Sequence, residues 1–326
     1  LGMAVLLCQI TAQAAENGAV VRGTVKDVQG NPIAGVVVTD GKNMTATDNR
    51  GMYLLDTDPV RQPMVYISTP ADYVLPEKNG IADGFYRYQD AGKTENQCDF
   101  ILQKREKKTD EFVFIPISDP QVKNEKQLER FRSETIPDLV YTVDSLNVPE
   151  TIGMQLGDLV WDAMNLYTPY RTTISDLGLT MFQVMGNHDF NLQYADMERT
   201  AEPAKGYGEK NYYEMFGPTD YSFNVGKVHI IAMKDIDYEG GKKYTERFTD
   251  EQLEWLKKDL SYVPEGTTVF LNVHAPVANT TVEGGDNVRN ANALFRILRP
   301  YKAHIFSGHT HFYENTLPAA GIYEHN

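Results

Sequence analysis

Residues 153–162, GMQLGDLVWD, and residues 181–189, MFQVMGNHD, decide how the sequence is read. In each, a short apolar run closes on glycine: Ile152–Leu156 before Gly157, and Met181–Met185 before Gly186. A run of about five apolar residues ended by glycine predicts a buried strand that turns sharply at its end. Metal-competent side chains stand just past both turns. The first turn delivers Asp158 and, four residues on, Asp162; the second delivers Asn187, His188 and Asp189 in succession. Open α/β sheets bind ligands beyond the carboxyl ends of their strands. The two strands therefore carry carboxylate, amide and imidazole into one crevice, and the rest of the chain is read as completing it.

Three further strand ends add to the set. Phe112–Ser118 runs into Asp119-Pro120-Gln121, Thr268–Val273 into His274, and Ala303–Ser307 into Gly308-His309-Thr310-His311. Four of the seven histidines fall at these ends. His309 and His311 point the same way along an extended segment. His229 and His304 lie inside strands and read as packed histidines, and His325 is left unassigned. Trp161 and the Tyr207–Tyr213 cluster read as aromatic loop packing more than as cleft lining. Carboxylate, amide oxygen and imidazole together suit hard and borderline divalent ions. Two such ions need a shared carboxylate, for which Asp158 is the candidate.

From residue 112 onward strands alternate with helices, which predicts an α/β domain. Glu125–Leu146 reads as a helix interrupted near Pro137, and Tyr221–Val225 with Val228–Met233 as a hairpin across Gly226-Lys227. Thr249 with Gln252 three residues on forms a capping-box signal, opening a helix whose buried face is Leu253, Leu256 and Leu260. Ala291–Leu298 predicts another helix. Residues 16–104 differ: VVRGTVKD, GVVVTDG, MTATD, GMYLLDT and MVYISTP are short β-branched runs divided by turn signals. They predict a small all-β sandwich. A charged linker over 105–111 separates it from a second domain over 112–326.

The order D-x-[HQ], G-D, G-N-H-[DE], H, G-H-x-H over about residues 112–311 resembles the calcineurin-like metallophosphoesterases. The pattern G-x-V-x-D-x-x-G-x-P-x-x-G-V, filled by Gly23, Val25, Asp27, Gly30, Pro32, Gly35 and Val36, resembles the prealbumin-like sandwich beside many secreted hydrolases. The resemblance implies a double β-sheet sandwich flanked by helices, with two divalent metal ions between the sheets. It places Asp119, Gln121, Asp158 and His311 around one ion, and Asp158, Asn187, His274 and His309 around the other. His188 matches the general acid. The implied reaction is hydrolysis of a phosphoric ester, with a metal-bridging hydroxide as nucleophile because coordination lowers the pKa of water toward ~7. Two departures from the family pattern bear on this. Gln121 stands where histidine is commoner, and its harder oxygen favours Mn²⁺ or Mg²⁺ over Zn²⁺, so manganese is the expected metal, with magnesium, iron and zinc as alternatives. Asp162 lies four residues past Asp158, not three, so Asp162 and Asp189 both remain candidates for orienting His188.

Two alternatives follow. Relatives with D-x-Q include manganese-dependent pyrophosphatases, which adds nucleotide-diphosphate-type substrates. A non-catalytic metal-containing binding protein is the other. The expected partner is a phosphorylated small molecule.

The 326 residues are 41% hydrophobic and 23% charged, with a net charge of −14 and no basic stripe, which excludes a long nucleic acid as partner. Residues 1–15, LGMAVLLCQITAQAA, read as the remainder of a secretory signal, so export to a periplasm or the exterior is expected. Cys8 as a lipid anchor is disfavoured by the bulky Leu7. Cleavage after Ala14 leaves Cys98 as the sole cysteine, hence no intrachain disulfide. No later run of 18 or more apolar residues predicts a spanning helix. The family resemblance implies further strands after residue 326, so the domain is expected to be C-terminally incomplete as given, and the oligomeric state is not legible.

Overall fold

The computed structural model describes residues 18–107, 109, 111–146, 148, 150–191, 208–240, 243–278 and 287–326. The signal-like segment 1–15 and Cys8 lie outside the described residues.

The N-terminal region is a pair of four-stranded sheets. One is centred on Ala19–Asp27, which pairs antiparallel with Met52–Thr57 and parallel with Glu95–Gln97 and Phe100–Leu102. Every second residue of Ala19–Asp27 is buried, as the period-2 pleat requires of a strand with one face on a core. The other sheet runs Met44–Ala46, Val37–Thr39, Met64–Ile67, Tyr86–Tyr88, all antiparallel.

Beyond residue 112 two more sheets form. Val113–Ile117, Thr151–Leu156 and Thr180–Val184 lie side by side in parallel. The second sheet orders its strands Tyr221–Val225, Val228–Ala232, Thr268–Asn272, Lys302–Phe306, Ile322–His325 and Asn315–Ala319. Its four central strands are parallel, with an antiparallel strand at each edge. The sheets pack face to face through aromatic rings. Phe114 sits 5.3 Å from Phe270 and 5.2 Å from Phe306, and Phe182 stacks on Phe223 at 4.0 Å. The fold is thus mixed α/β, a double sheet with helices, preceded by an all-β region.

Local signals explain most of the elements. The hairpin turns at Gly226-Lys227, and Thr249 caps Asp250–Leu260 with Gln252 closing the capping box. The interruption in the first helical stretch is a π-helical turn over Phe131–Thr135, directly before Ile136–Leu146. Pro137 has no N–H for the Ser133 carbonyl, and its ring crowds that group, so the helix widens one turn earlier. Two features had no clear sequence signal. Glu77–Lys78 and Ile81–Ala82, from the N-terminal region, add to the edge of the three-stranded parallel sheet. Ile236–Gly240 and Lys243–Glu246 form a separate hairpin.

The N-terminal sheet that contains Val37–Thr39 and Met64–Ile67 rests against the second sheet and its helix. Trp255, buried in Asp250–Leu260, donates its Nε1 to Thr39 Oγ1 at 3.3 Å, and Ser222 donates to Ser68 at 2.9 Å. His229 is buried here, between Asn224 Oδ1 at 2.8 Å and Asp259 Oδ2 at 2.7 Å. His304 and His325 stack on each other at the sheet's far side. No helix among the described residues is long and apolar enough to cross a membrane.

Candidate metal centre

All five predicted strand ends open on one crevice between the two sheets. Seven non-glycine residues among those described have positive φ, and six of them are Asp119, Gln121, Asp158, Asp162, His309 and His311. A left-handed backbone costs such residues about 1–3 kcal/mol each and persists only where the surroundings enforce it. Gly157 shows one enforcement: at φ +93° it lies so near His274 that a Cβ would fall 2.5 Å from Nδ1. The crevice floor is closed by this contact between the sheets.

One half of the crevice is buried. His274 is fully enclosed, and its Nδ1 donates to the Leu156 carbonyl at 2.7 Å, which fixes the ring and aims Nε2 inward. Around Nε2 lie Asn187 Oδ1 at 2.9 Å, His309 Nδ1 at 3.1 Å and Asp158 Oδ1 at 3.3 Å. The donor atoms of Asp158, His274 and His309 all fall within 4.8 Å of one another. Burial works to raise the Asp158 carboxyl, but His274, with the His188 N–H, outweighs it and holds Asp158 below the ordinary carboxylate range. Burial likewise opposes charge on His274, yet Asp158 foremost carries its pKa up to about 10.

The other half is open. Gln121 reaches Asp158 Oδ2 at 2.9 Å through its amide. Asp119 Oδ2 accepts from the His309 N–H at 2.8 Å and from the Ser118 hydroxyl. Asp119 Oδ1 is buried without a hydrogen-bond donor, with His311 Nε2 3.4 Å away. The His311 side chain is 53% exposed, against 0% for His274, so only the first half is shielded from water.

His188 stands beside these groups. Its backbone N–H donates to Asp158 Oδ1 at 2.8 Å, and its ring Nδ1 lies 3.0 Å from Asp162 Oδ1. Asp189 faces away from that ring. It is fully buried and accepts from the N–H groups of Leu159 at 3.1 Å and Gly186 at 2.9 Å, and from the Tyr167 hydroxyl at 3.2 Å. Of the two carboxylates weighed for His188, Asp162 meets the imidazole and Asp189 ties the two glycine turns together. Burial, then the nearby Asp158 charge, pushes Asp189 up to about 7.

Comparison with known proteins gives the set a family. Residues 112–313, well over half of the chain, match the model for the calcineurin-like phosphoesterase domain. The chain belongs to the calcineurin-like phosphoesterase family. Residues 19–105 match the model for the N-terminal part of calcineurin-like phosphoesterases. Purple acid phosphatase 15 of Arabidopsis thaliana is 26% identical over 176 residues, covering 53% of this chain and 31% of that protein. This phosphoesterase-family chain thus spans about a third of that curated relative. A dimetal phosphatase from Danio rerio is 16% identical, with TM-score 0.45 over 66% of this chain and 86% of that one. A purple acid phosphatase from yellow lupin seeds gives 16% identity and TM-score 0.45 over 63% and 39%.

The residues fit a pair of divalent cations. Two carboxylates, two amides and three imidazoles face one crevice, and Asp119 Oδ1 is a buried anionic oxygen with no hydrogen bond among the described residues, its nearest positive candidate being the half-exposed His311. Sequence reasoning missed the supports. Asp235, fully buried, accepts the N–H groups of His274 at 3.1 Å and Ala275 at 2.9 Å. Burial raises its pKa to about 7, against the pull of His274. Its signal was there: it follows the Val228–Met233 run as one more acidic strand end. Trp161 was the other miss, because its indole stacks on His188 with centroids 3.8 Å apart.

Proposed function

We propose that this protein is a dinuclear-metal-dependent hydrolase of phosphoric esters. The observation that carries the reading is the approach of Asp158, His274 and His309 to within 4.8 Å, with Asn187, Gln121, Asp119 and His311 ranged about them. Asp119, Gln121, Asp158 and His311 would hold one ion; Asp158, Asn187, His274 and His309 would hold the other. When bound, the ions supply Lewis acidity toward phosphate oxygens and hydroxide at neutral pH. The chain itself supplies the proton. His188, its Nδ1 engaged by Asp162, keeps Nε2 for the departing oxygen, the task of a general acid. Asp189 acts through the backbone, holding the Gly157 and Gly186 turns at the spacing the ligands need.

Manganese is the proposed metal, on the oxygen-rich Gln121 position. Export is proposed on residues 1–15 and is tested by N-terminal sequencing of protein recovered outside the cytoplasm. For the activity, chelated protein is reconstituted with Mn²⁺ and assayed on a phosphomonoester, a phosphodiester and a nucleoside diphosphate sugar. Retention of about two ions per chain with turnover of at least one substrate is the expected result. Retained metal with no turnover of any would favour the binding-protein alternative.

A further inference from the structure

The loops that follow the first two parallel strands run side by side. Gln121 N–H donates to Asp158 O at 2.9 Å, Val122 N–H to Leu159 O at 3.3 Å, and Trp161 N–H to Val122 O at 3.0 Å. Val122 and Val160 pair as a parallel bridge, and Asp162 N–H reaches His188 O at 3.0 Å. This short ladder fixes the backbone on which Lys123, Trp161 and His188 are carried.

Their side chains make a three-layer stack. The Trp161 indole lies 3.8 Å from the His188 imidazole, 19° from parallel, and Lys123 Nζ lies 3.6 Å from the indole centroid. Two groups that near one ring cannot share a face, so the indole is held between them. A cation over an indole is drawn to the negative face of the ring, which presses the indole toward His188. Asp162 holds the same imidazole at Nδ1, 3.0 Å away. One contact fixes the ring's tilt and the other its direction, leaving Nε2 as the end without a hydrogen bond among the described residues.

We propose that Trp161, backed by Lys123, is a positioning residue that sets the His188 imidazole for proton donation to the leaving group. The inference rests on the reading of His188 as general acid. In that step a hydroxide oxygen bonds to phosphorus while the bond from phosphorus to the leaving oxygen breaks, the electron pair staying on the leaving oxygen. That oxygen takes the proton from Nε2, leaving a neutral imidazole still bonded through Nδ1–H to Asp162. A nitrophenolate leaves without much help, whereas an alkoxide needs the proton. Trp161 therefore governs which esters the enzyme can cleave.

The test compares Trp161→Ala, Trp161→Phe and Lys123→Gln in the Mn²⁺-reconstituted full chain, on p-nitrophenyl phosphate and glycerol phosphate. Trp161→Ala should lose roughly 10²-fold in kcat on the alkyl ester, and only a few-fold on the aryl ester, with metal content unchanged. Trp161→Phe should restore most of the loss, and Lys123→Gln should cost a few-fold. In a His188→Ala background, Trp161→Ala should add nothing. A second readout needs no metal: imidazole stacked on indole quenches its emission. Fluorescence of the metal-free protein should rise on His188→Ala, and the rise should vanish in Trp161→Phe. Equal losses on both esters, or no change in emission, would overturn the proposal while leaving the hydrolase reading intact. Absence of turnover in the wild type on every phosphoester would remove that reading and the proposal with it.

Discussion

The two halves of the metal crevice are built by different means. Around His274 the groups are braced and all but the half-buried His309 are buried: Leu156 O holds Nδ1, Asp235 holds the backbone, and Asn187, His309 and Asp158 crowd Nε2. Around His311, half the side chain faces solvent, and Asp119 Oδ1 has no donor. Outer supports commonly decide metal affinity almost as much as the ligands do. The comparison teaches that the first half is organised before any cation arrives, whereas the second depends on one to bring its groups into register.

Mutations can break or sharpen that contrast. His274→Ala should have the largest effect, because it strips the preorganised half and leaves Asp158 buried without its partner. Elemental analysis should find no retained metal, hydrolysis should fall to background, and urea denaturation of the metal-free chain should show a loss of roughly 3 kcal/mol or more. His311→Ala should spare the buried half: about one ion per chain should survive dialysis, with activity reduced. Equal metal loss in the two variants would erase the distinction. Asp235→Asn touches no ligand side chain, yet should weaken metal affinity by about 10- to 100-fold in competition with a chromophoric chelator. Gln121→His belongs to the open half, and should shift metal preference toward Zn²⁺ while turnover persists; unchanged preference would remove Gln121 from the ligand set.

The smallest expected effect is one of pH. Glu324 is buried and accepts the N–H groups of Val277 and Ala278 just past His274, the second at 2.8 Å. Burial raises its pKa above the ordinary glutamate value, against those hydrogen bonds. A raised acid favours folding fully below the unfolded pKa, and that contribution is lost as pH climbs through the folded pKa. The Glu324 contribution should thus fall as pH rises from about 4, so that in thermal melts of the metal-free chain Glu324→Gln should gain on the wild type as pH rises.

Local signals were legible where one segment carries its own instruction. The apolar runs ending at Gly157 and Gly186, the Thr249–Gln252 cap and the turn at Gly226-Lys227 each form from neighbours in sequence. The residue types at the strand ends were legible too, because carboxylate, amide and imidazole recurring past buried strands is a pattern with few other uses. What stayed hidden was which partner each side chain meets. Asp162 and Asp189 are equally plausible beside His188 on spacing alone; only the fold turns Asp162 to the imidazole and Asp189 to the turns. Pro137 was legible as a break, although its cost appears one turn earlier.

By itself, then, the sequence determined the α/β order, the five strand ends and the chemical class of the crevice, since periodicity, glycine turns and side-chain chemistry act within a few residues. Only the tertiary structure decided that Trp161 lies between Lys123 and His188, that Asp235 braces His274, and that Glu77–Ala82 joins a sheet of the second region. Such pairings join groups distant along the chain. They depend on how two sheets settle against each other, and no local pattern encodes that packing.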